Sequence, residues 1–275
     1  MKFYKLLLYD LHQGLIKPWI KLVPILLLFI VALVGANNYF AEQGICMSTG
    51  DFLVYLLQGD FPYIPNSETP FKIPVLWFVI QVYLPYYLGN YPTNDLKGVG
   101  QNILLKVPDR RIWWTVKVFW SILASIFYMA LIVLVACVFG ISNGMPSLQV
   151  TNSFAETILL SEEFILLGKA QIFYIVVLPL LTMICVSLLQ IMLSFVWQPF
   201  VSMIVIVTLY VAAAYGVSPF LITAYSMIFR NKFAILNGVS VQFGIPYLCI
   251  CSILFAAIGY LAFSRYDILD NSKEV

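Results

Sequence analysis

The chain has 275 residues, of which 62% are hydrophobic and only 10% charged, with a formal net charge of +2 and a mean hydropathy of +0.93. Soluble domains carry about 25% charged residues, so the composition excludes a soluble globular domain and points to a membrane protein with no nucleic-acid partner. A charged side chain at mid-bilayer costs roughly 2.5 to 3.5 kcal/mol on insertion scales, so the stretches without charge mark the candidate spans.

In chain order, "MKFYKLLLYDLHQGLIKP" comes first. Tyr4, Leu7, Leu8, Leu11 and Leu15 recur on one helical face, with Lys2, Lys5, His12 and Gln13 away from it. This predicts an amphipathic helix over 1–18 lying in the membrane interface, with Pro18 at its bend; a basic leader that only fixes orientation is the alternative. The first strongly apolar run starts after residue 21 and no small-residue cleavage site follows, so it is expected to stay as the first span, 22–40.

The segment 41–72 mixes Gly, Pro and acids with "DFLVYLLQGD", too short to cross and suited to capping the bundle as a short helix or strand. The second span is expected over 73–88 and the third over 118–139. Beyond it, "FAETILLSEEFILLGK" reads as one amphipathic helix whose Glu156, Glu162 and Glu163 form a solvated face. The charge-free stretch 170–229 is long enough for two spans, 172–195 and 200–225, divided at Gln198 and Pro199, with Pro179 and Pro219 inside them as potential kinks. The apolar segment "SMIFRNKFAILNGVSVQFG" predicts a pair of short re-entrant helices before a sixth span over 244–263. The expectation is thus one all-α transmembrane domain, 1–275, with six transmembrane helices and an interfacial N-terminal helix.

Lys and Arg set orientation. Six spans put both termini, the 94–117 loop and the 196–199 turn on one side with 11 basic residues, against four on the other. Both termini are therefore expected in the cytoplasm. The five cysteines show no metal-ligand spacing, and only Cys46 falls in an outer loop, so they read as small packing residues.

Catalytic chemistry finds few candidates. His12 is the single histidine, and none of the six expected spans holds a carboxylate. Intramembrane metallo-, serine and aspartyl proteases need ligands, a His base or an Asp pair within the bilayer, so no enzyme is expected. Carriers driven by protons use the same missing groups. No G-x-x-x-x-G-K-[ST] phosphate loop occurs, because "GVGQNILLK" has the wrong spacing, and no cofactor is expected in this chain.

The remaining feature is "NDLKGVGQNILLKVPDRRIWWTVK", residues 94–117, with five of the 15 basic residues. Asn94 or Asp95 can cap a short helix, Pro108 can end it, and Trp113 and Trp114 fall where interface anchors are expected. A short helix held below the membrane by two spans is a lever. The plain alternative is a loop whose bases only enforce orientation.

The order of these features resembles the membrane subunits of ATP-binding-cassette exporters, the type-2 permease family: an amphipathic N-terminal helix, six spans, and a basic loop between spans two and three that reads Gly98, Gly100, "VPDRR" and Lys117. The short turn between spans four and five and the apolar segment before span six also match. The resemblance implies a coupling element in 94–111, with Asp95, Lys97, Gly98, Gly100, Gln101, Asn102, Lys106, Arg110 and Arg111 meeting an ATPase. It further implies two separate ATPase subunits carrying ATP and Mg, a second permease copy or homologue, and a bacterial plasma membrane. Spans rich in Tyr and Phe with scattered Gln81, Thr182, Ser187, Gln190 and Ser194 favour a hydrophobic or amphipathic cargo, such as an antimicrobial peptide, over an ion. A non-transporting membrane scaffold or immunity protein is the other reading.

Overall fold

A computed structural model describes residues 3–63, 65, 70–98, 100, 110–159, 170–232, 234–235 and 237–265. The fold is all-helical. Among the described residues no strand forms, and Asn231 and Val239 make one isolated bridge.

The N-terminal segment is a helix, α1 (Phe3–Leu11), continued by a wider turn over His12–Ile16 and a 3-10 turn over Trp19–Leu22, with Pro18 at the joint. The face named from the sequence is only partly outward: Tyr4 is 66% exposed and Leu8 46%, while Leu7, Leu11 and Leu15 are half-buried against the core. Leu6, Asp10 and Gly14 point the other way, into the protein. Gly14 is required there, since a Cβ would come within 2.8 Å of the Trp120 indole.

The long helices are α2 (Val23–Glu42), α6 (Arg110–Ser142), α8 (Ala170–Val196) and α10 (Val241–Arg265). These four are long and apolar enough to cross a membrane. Two expected spans are shorter helices: α4 (Val75–Gly89) with 15 residues and α9 (Pro199–Tyr215) with 17. The ninth helix stops ten residues before its expected end, at Gly216, so Pro219 lies beyond it rather than kinking it. The sixth helix starts eight residues before the expected third span, which puts Arg110, Arg111, Trp113, Trp114 and Lys117 on a helix instead of in a loop.

Helix α8 is the axis of the bundle. It packs against α4, α6, α9 and α10, and 72% of its apolar window is buried, against 11% for α10. Apolar residues buried on every side of α8, Leu178, Met183, Val186 and Ile191 among them, explain why its sequence shows no polar face.

At the far end from α1, α3 (Thr49–Leu57) plugs the bundle and is buried along almost its whole length. The sequence allowed a helix or a strand here. A capping box decides for helix: Asp51 N–H donates to the Ser48 hydroxyl, and Ser48 N–H donates to the Asp51 carboxylate. The Asp51 carboxylate also accepts from the Thr151 N–H and hydroxyl just before α7 (Asn152–Leu159). Burial still raises its pKa above the ordinary carboxylate value. Of the expected amphipathic helix, residues 154–159 lie in α7, where Glu156 is exposed, and the rest, with Glu162 and Glu163, lies outside the described residues.

Past α9 the chain makes two buried 3-10 turns, Ile222–Ser226 and Ile228–Arg230. The first falls in the expected fifth span, and the segment 226–244 holds only the second, in place of the expected pair of short helices, among the described residues before α10. Arg230 donates from Nη2 to the Ala214 carbonyl at 2.6 Å, and burial lowers its pKa to about 10, leaving it charged at neutral pH. All five cysteines are free thiols.

Candidate functional site: a buried charge cluster at the base of the bundle

Helix α4 ends at Gly89, and after Asn90 the chain turns into α5 (Tyr91–Lys97), with Pro92 in its first turn, where a missing N–H costs nothing. This short helix sits beside α1 and the first turns of α6. Three charges meet between them.

Lys117 of α6 is fully buried, and its ammonium donates to Asp10 of α1 at 2.8 Å and to Asp95 of α5 at 2.7 Å. It also lies 4.6 Å from the Tyr91 ring centre and 4.8 Å from that of Trp113, one turn earlier on its own helix. The Tyr91 hydroxyl donates to the Asp10 carboxylate at 2.9 Å. Two carboxylates thus share one ammonium inside the protein. Burial, opposed by Lys117 and reinforced by Asp95, raises the pKa of Asp10 above its ordinary value of 3.8. Burial, followed by the neighbouring Asp10 charge, raises that of Tyr91. Breaking one partner of such a buried cluster typically costs about 3 to 5 kcal/mol, because the others are left uncompensated.

A tyrosine ladder extends the joint. Tyr83, Tyr87 and Tyr91 stand four residues apart on one face of α4 and α5. Their hydroxyls donate to the Lys21 carbonyl, the Leu15 carbonyl at 3.2 Å and the Asp10 carboxylate, stitching the N-terminal segment to these helices. Trp120 tilts over the Tyr91 ring at 4.6 Å and closes the cluster from the side.

Of the residues expected to meet a partner, Asp95 is turned inward to Lys117. Gly100 is buried against Asp95, where a Cβ would approach its carbonyl and carboxylate oxygens to 2.6 Å. Asn94, Lys97 and Gly98 are exposed. Arg110 donates to the Phe263 and Ser264 carbonyls at the end of α10, the latter at 2.8 Å, where a cation complements the helix dipole. Arg111 Nε donates to the Tyr260 hydroxyl at 3.2 Å. Gln101, Asn102 and Lys106, with Pro108, lie outside the described residues. The expectation that Trp113 and Trp114 face the interface is corrected: both are buried, stacked on Phe263 and edge-on to Phe195. Consecutive aromatics both reach the core here because α6 is covered there by α8 and α10 together.

Beside α5 lies an open hollow of about 830 Å³, walled by Asn90, Thr93, Asn94 and Lys97 on one side and by the α8–α9 turn with Trp197 and Gln198 on the other. Among the described residues no group of His, Cys, Asp and Glu is placed to hold a metal. No family model, curated protein or solved structure matches this chain.

Asp10 was not singled out in the sequence, and Lys117 only as the last base of the 94–117 loop, not as a buried partner of two acids. The available signal was an acid facing away from the other polar residues of an amphipathic helix, and a lysine preceding a span by one residue, each a charge that needs a partner.

Proposed function

We propose that the chain is the membrane-spanning permease subunit of an ATP-binding-cassette exporter, crossing the membrane six times with both termini in the cytoplasm. In this reading α4 and α9 cross as short spans, locally thinning the bilayer or shielded by neighbouring helices. Two separate ATPase subunits hydrolyse ATP, with Mg, and a second permease copy or homologue completes the pathway for a hydrophobic or amphipathic cargo such as a peptide.

The observation that carries the reading is the Asp10–Lys117–Asp95 cluster. A seven-residue helix at the end of one span is welded to the base of a second span and to the N-terminal helix, so a push on α5 is delivered to α1, α4 and α6 together. Its outward face, Asn94 and Lys97, borders a hollow large enough to seat side chains of another protein. That is the mechanical requirement for driving a membrane domain from an ATPase that binds below it.

The test is purification of the tagged chain from its native membrane in mild detergent, with assay of bound ATPase activity. Wild type is expected to bring down an ATPase, and Lys97→Glu, a change on the exposed rim, to lose most of it while remaining monodisperse. Absence of any ATPase from an intact membrane complex overturns the reading in favour of a non-transporting scaffold.

A further inference from the structure

The N-terminal segment is fastened by its backbone and by one face only. The Tyr87 and Tyr83 hydroxyls hold the Leu15 and Lys21 carbonyls, and α1 turns Leu6, Asp10 and Gly14 into the protein. The opposite side is left uncovered: Tyr4, Leu8, Ile16, Trp19 and Ile20 are 46% to 67% exposed. The exposed charges among them are of one sign. Lys5, Lys17 and Lys21 are exposed, and none forms an ion pair with a described residue. The single acid between residues 3 and 41 is Asp10, which is buried and committed to Lys117. Neither α4 nor α6, the helices against which the segment lies, contains an acid.

Both ends of the segment meet apolar helix surface. At one end the Phe3 ring packs edge-on to Phe119, 5.7 Å between centres, and Phe119 is itself exposed on α6. At the other, the turn Trp19–Leu22 runs directly into α2, where Leu27, Ile30 and Val31 are exposed. Both α2 and α6 are long and apolar enough to cross a membrane. A segment stretched between their ends, oily and basic on its free side, lies where hydrocarbon gives way to headgroups.

We infer that the outward face of residues 3–21 is a docking surface for anionic phospholipid, with Tyr4, Leu8, Trp19 and Ile20 entering the acyl boundary and Lys5, Lys17 and Lys21 reaching the phosphates. Lysine stems can lie along apolar surface while their ammonium groups extend to the headgroups. Charge complementarity selects the occupant: a zwitterionic lipid offers the same apolar seat, but only an anionic headgroup meets three unpaired lysines with net attraction. The inference needs only that α2 and α6 lie in a membrane and stands apart from any coupling to an ATPase.

Trp19 reports on the contact. The full chain is reconstituted in phosphatidylcholine vesicles containing a rising fraction of either phosphatidylglycerol or phosphatidylcholine with brominated acyl chains, and comparison with Trp19→Phe isolates the Trp19 component of the quenching. The brominated anionic lipid is expected to reach half-maximal Trp19 quenching at about fivefold lower mole fraction than the zwitterionic one, the factor given by one basic residue near an anionic surface. Lys17→Gln combined with Lys21→Gln, both changes at exposed positions, is expected to remove most of that preference while Trp19 remains quenched by phosphatidylcholine. The corresponding Lys→Arg pair is expected to keep it. Equal quenching of wild type by the two lipids, a preference that survives the paired Lys→Gln changes, or no quenching of Trp19 by either lipid because water or another protein surface covers this face, overturns the inference.

Discussion

A single lysine organises the base of this molecule. Lys117 has no exposed surface, so its ammonium has exchanged water for Asp10, Asp95 and two aromatic faces. The exchange is incomplete on the acidic side, since Asp10 Oδ2 has no hydrogen-bond partner among the described residues. This fixes the sign of a pH effect. The folded pKa of Asp10 is raised above 3.8, so the folded chain holds a proton on this group at pH values where the unfolded chain has released it. The associated stability is fully present below about 3.8 and is lost as pH rises through the raised folded value. Asparagine does not titrate. Thermal unfolding of wild type and Asp10→Asn in the same detergent should therefore show the difference moving in favour of the variant as pH is raised across that window. A difference constant with pH would mean that Asp10 titrates alike in the folded and unfolded chain.

At the scale of elements, α1 is held by its inner face, and Gly14 is the point of closest approach. A Cβ at that position meets three atoms of the Trp120 indole within 2.9 Å, and Trp120 is itself boxed in by Tyr91. Gly14→Leu is expected to lift the N-terminal segment from α6, exposing residues 3–16 to protease and hydrogen exchange while α8 and α10 stay protected; uniform protection in wild type and variant would contradict this packing. Much of the element plan was legible in the sequence, because runs without charge are a direct consequence of what hydrocarbon tolerates. Each expected span contains a helix, but only four of these helices are long and apolar enough to cross a membrane, and the limits differ where a local cause intervenes. Gly216 ends α9 early, and α6 begins two turns early because Lys117 is paid for by two acids and no longer behaves as a loop residue. The cluster itself was not legible. Its partners are 107 and 22 residues apart, and neither helical periodicity nor composition carries a contact of that kind. Trp113 and Trp114 misled for the same reason: their position predicted an interface, while the packing of Phe195 and Phe263 decided burial.

For the whole molecule, the arrangement is a bundle around α8, plugged at one end by α3 and joined at the other through α1, α5 and α6. Two of its six long apolar segments, α4 and α9, are shorter than the roughly 20 residues that cover a bilayer at right angles. If α4 nevertheless crosses, its ends lie on opposite sides. Single cysteines placed at Lys72 and Asn94 in a chain lacking the five native ones are expected to react with a membrane-impermeant maleimide from opposite faces of sealed vesicles. Labelling of both from the same face would show that α4 turns back, and would remove α5 from the side assigned to the ATPase.

The claim on which the rest depends is that Asp95 and Lys117 tie α5 to α6 as one mechanical unit. A double-mutant cycle with Lys117→Met, Asp95→Asn and their combination, read by unfolding in mild detergent, measures that tie directly. The account predicts that the double variant loses less stability than the sum of the singles, with a coupling of about 0.5 to 3 kcal/mol, the range for residues sharing one network. Additive losses, with a coupling near zero, would contradict it: α5 would then be free of α6, and no lever would exist at the base of this bundle.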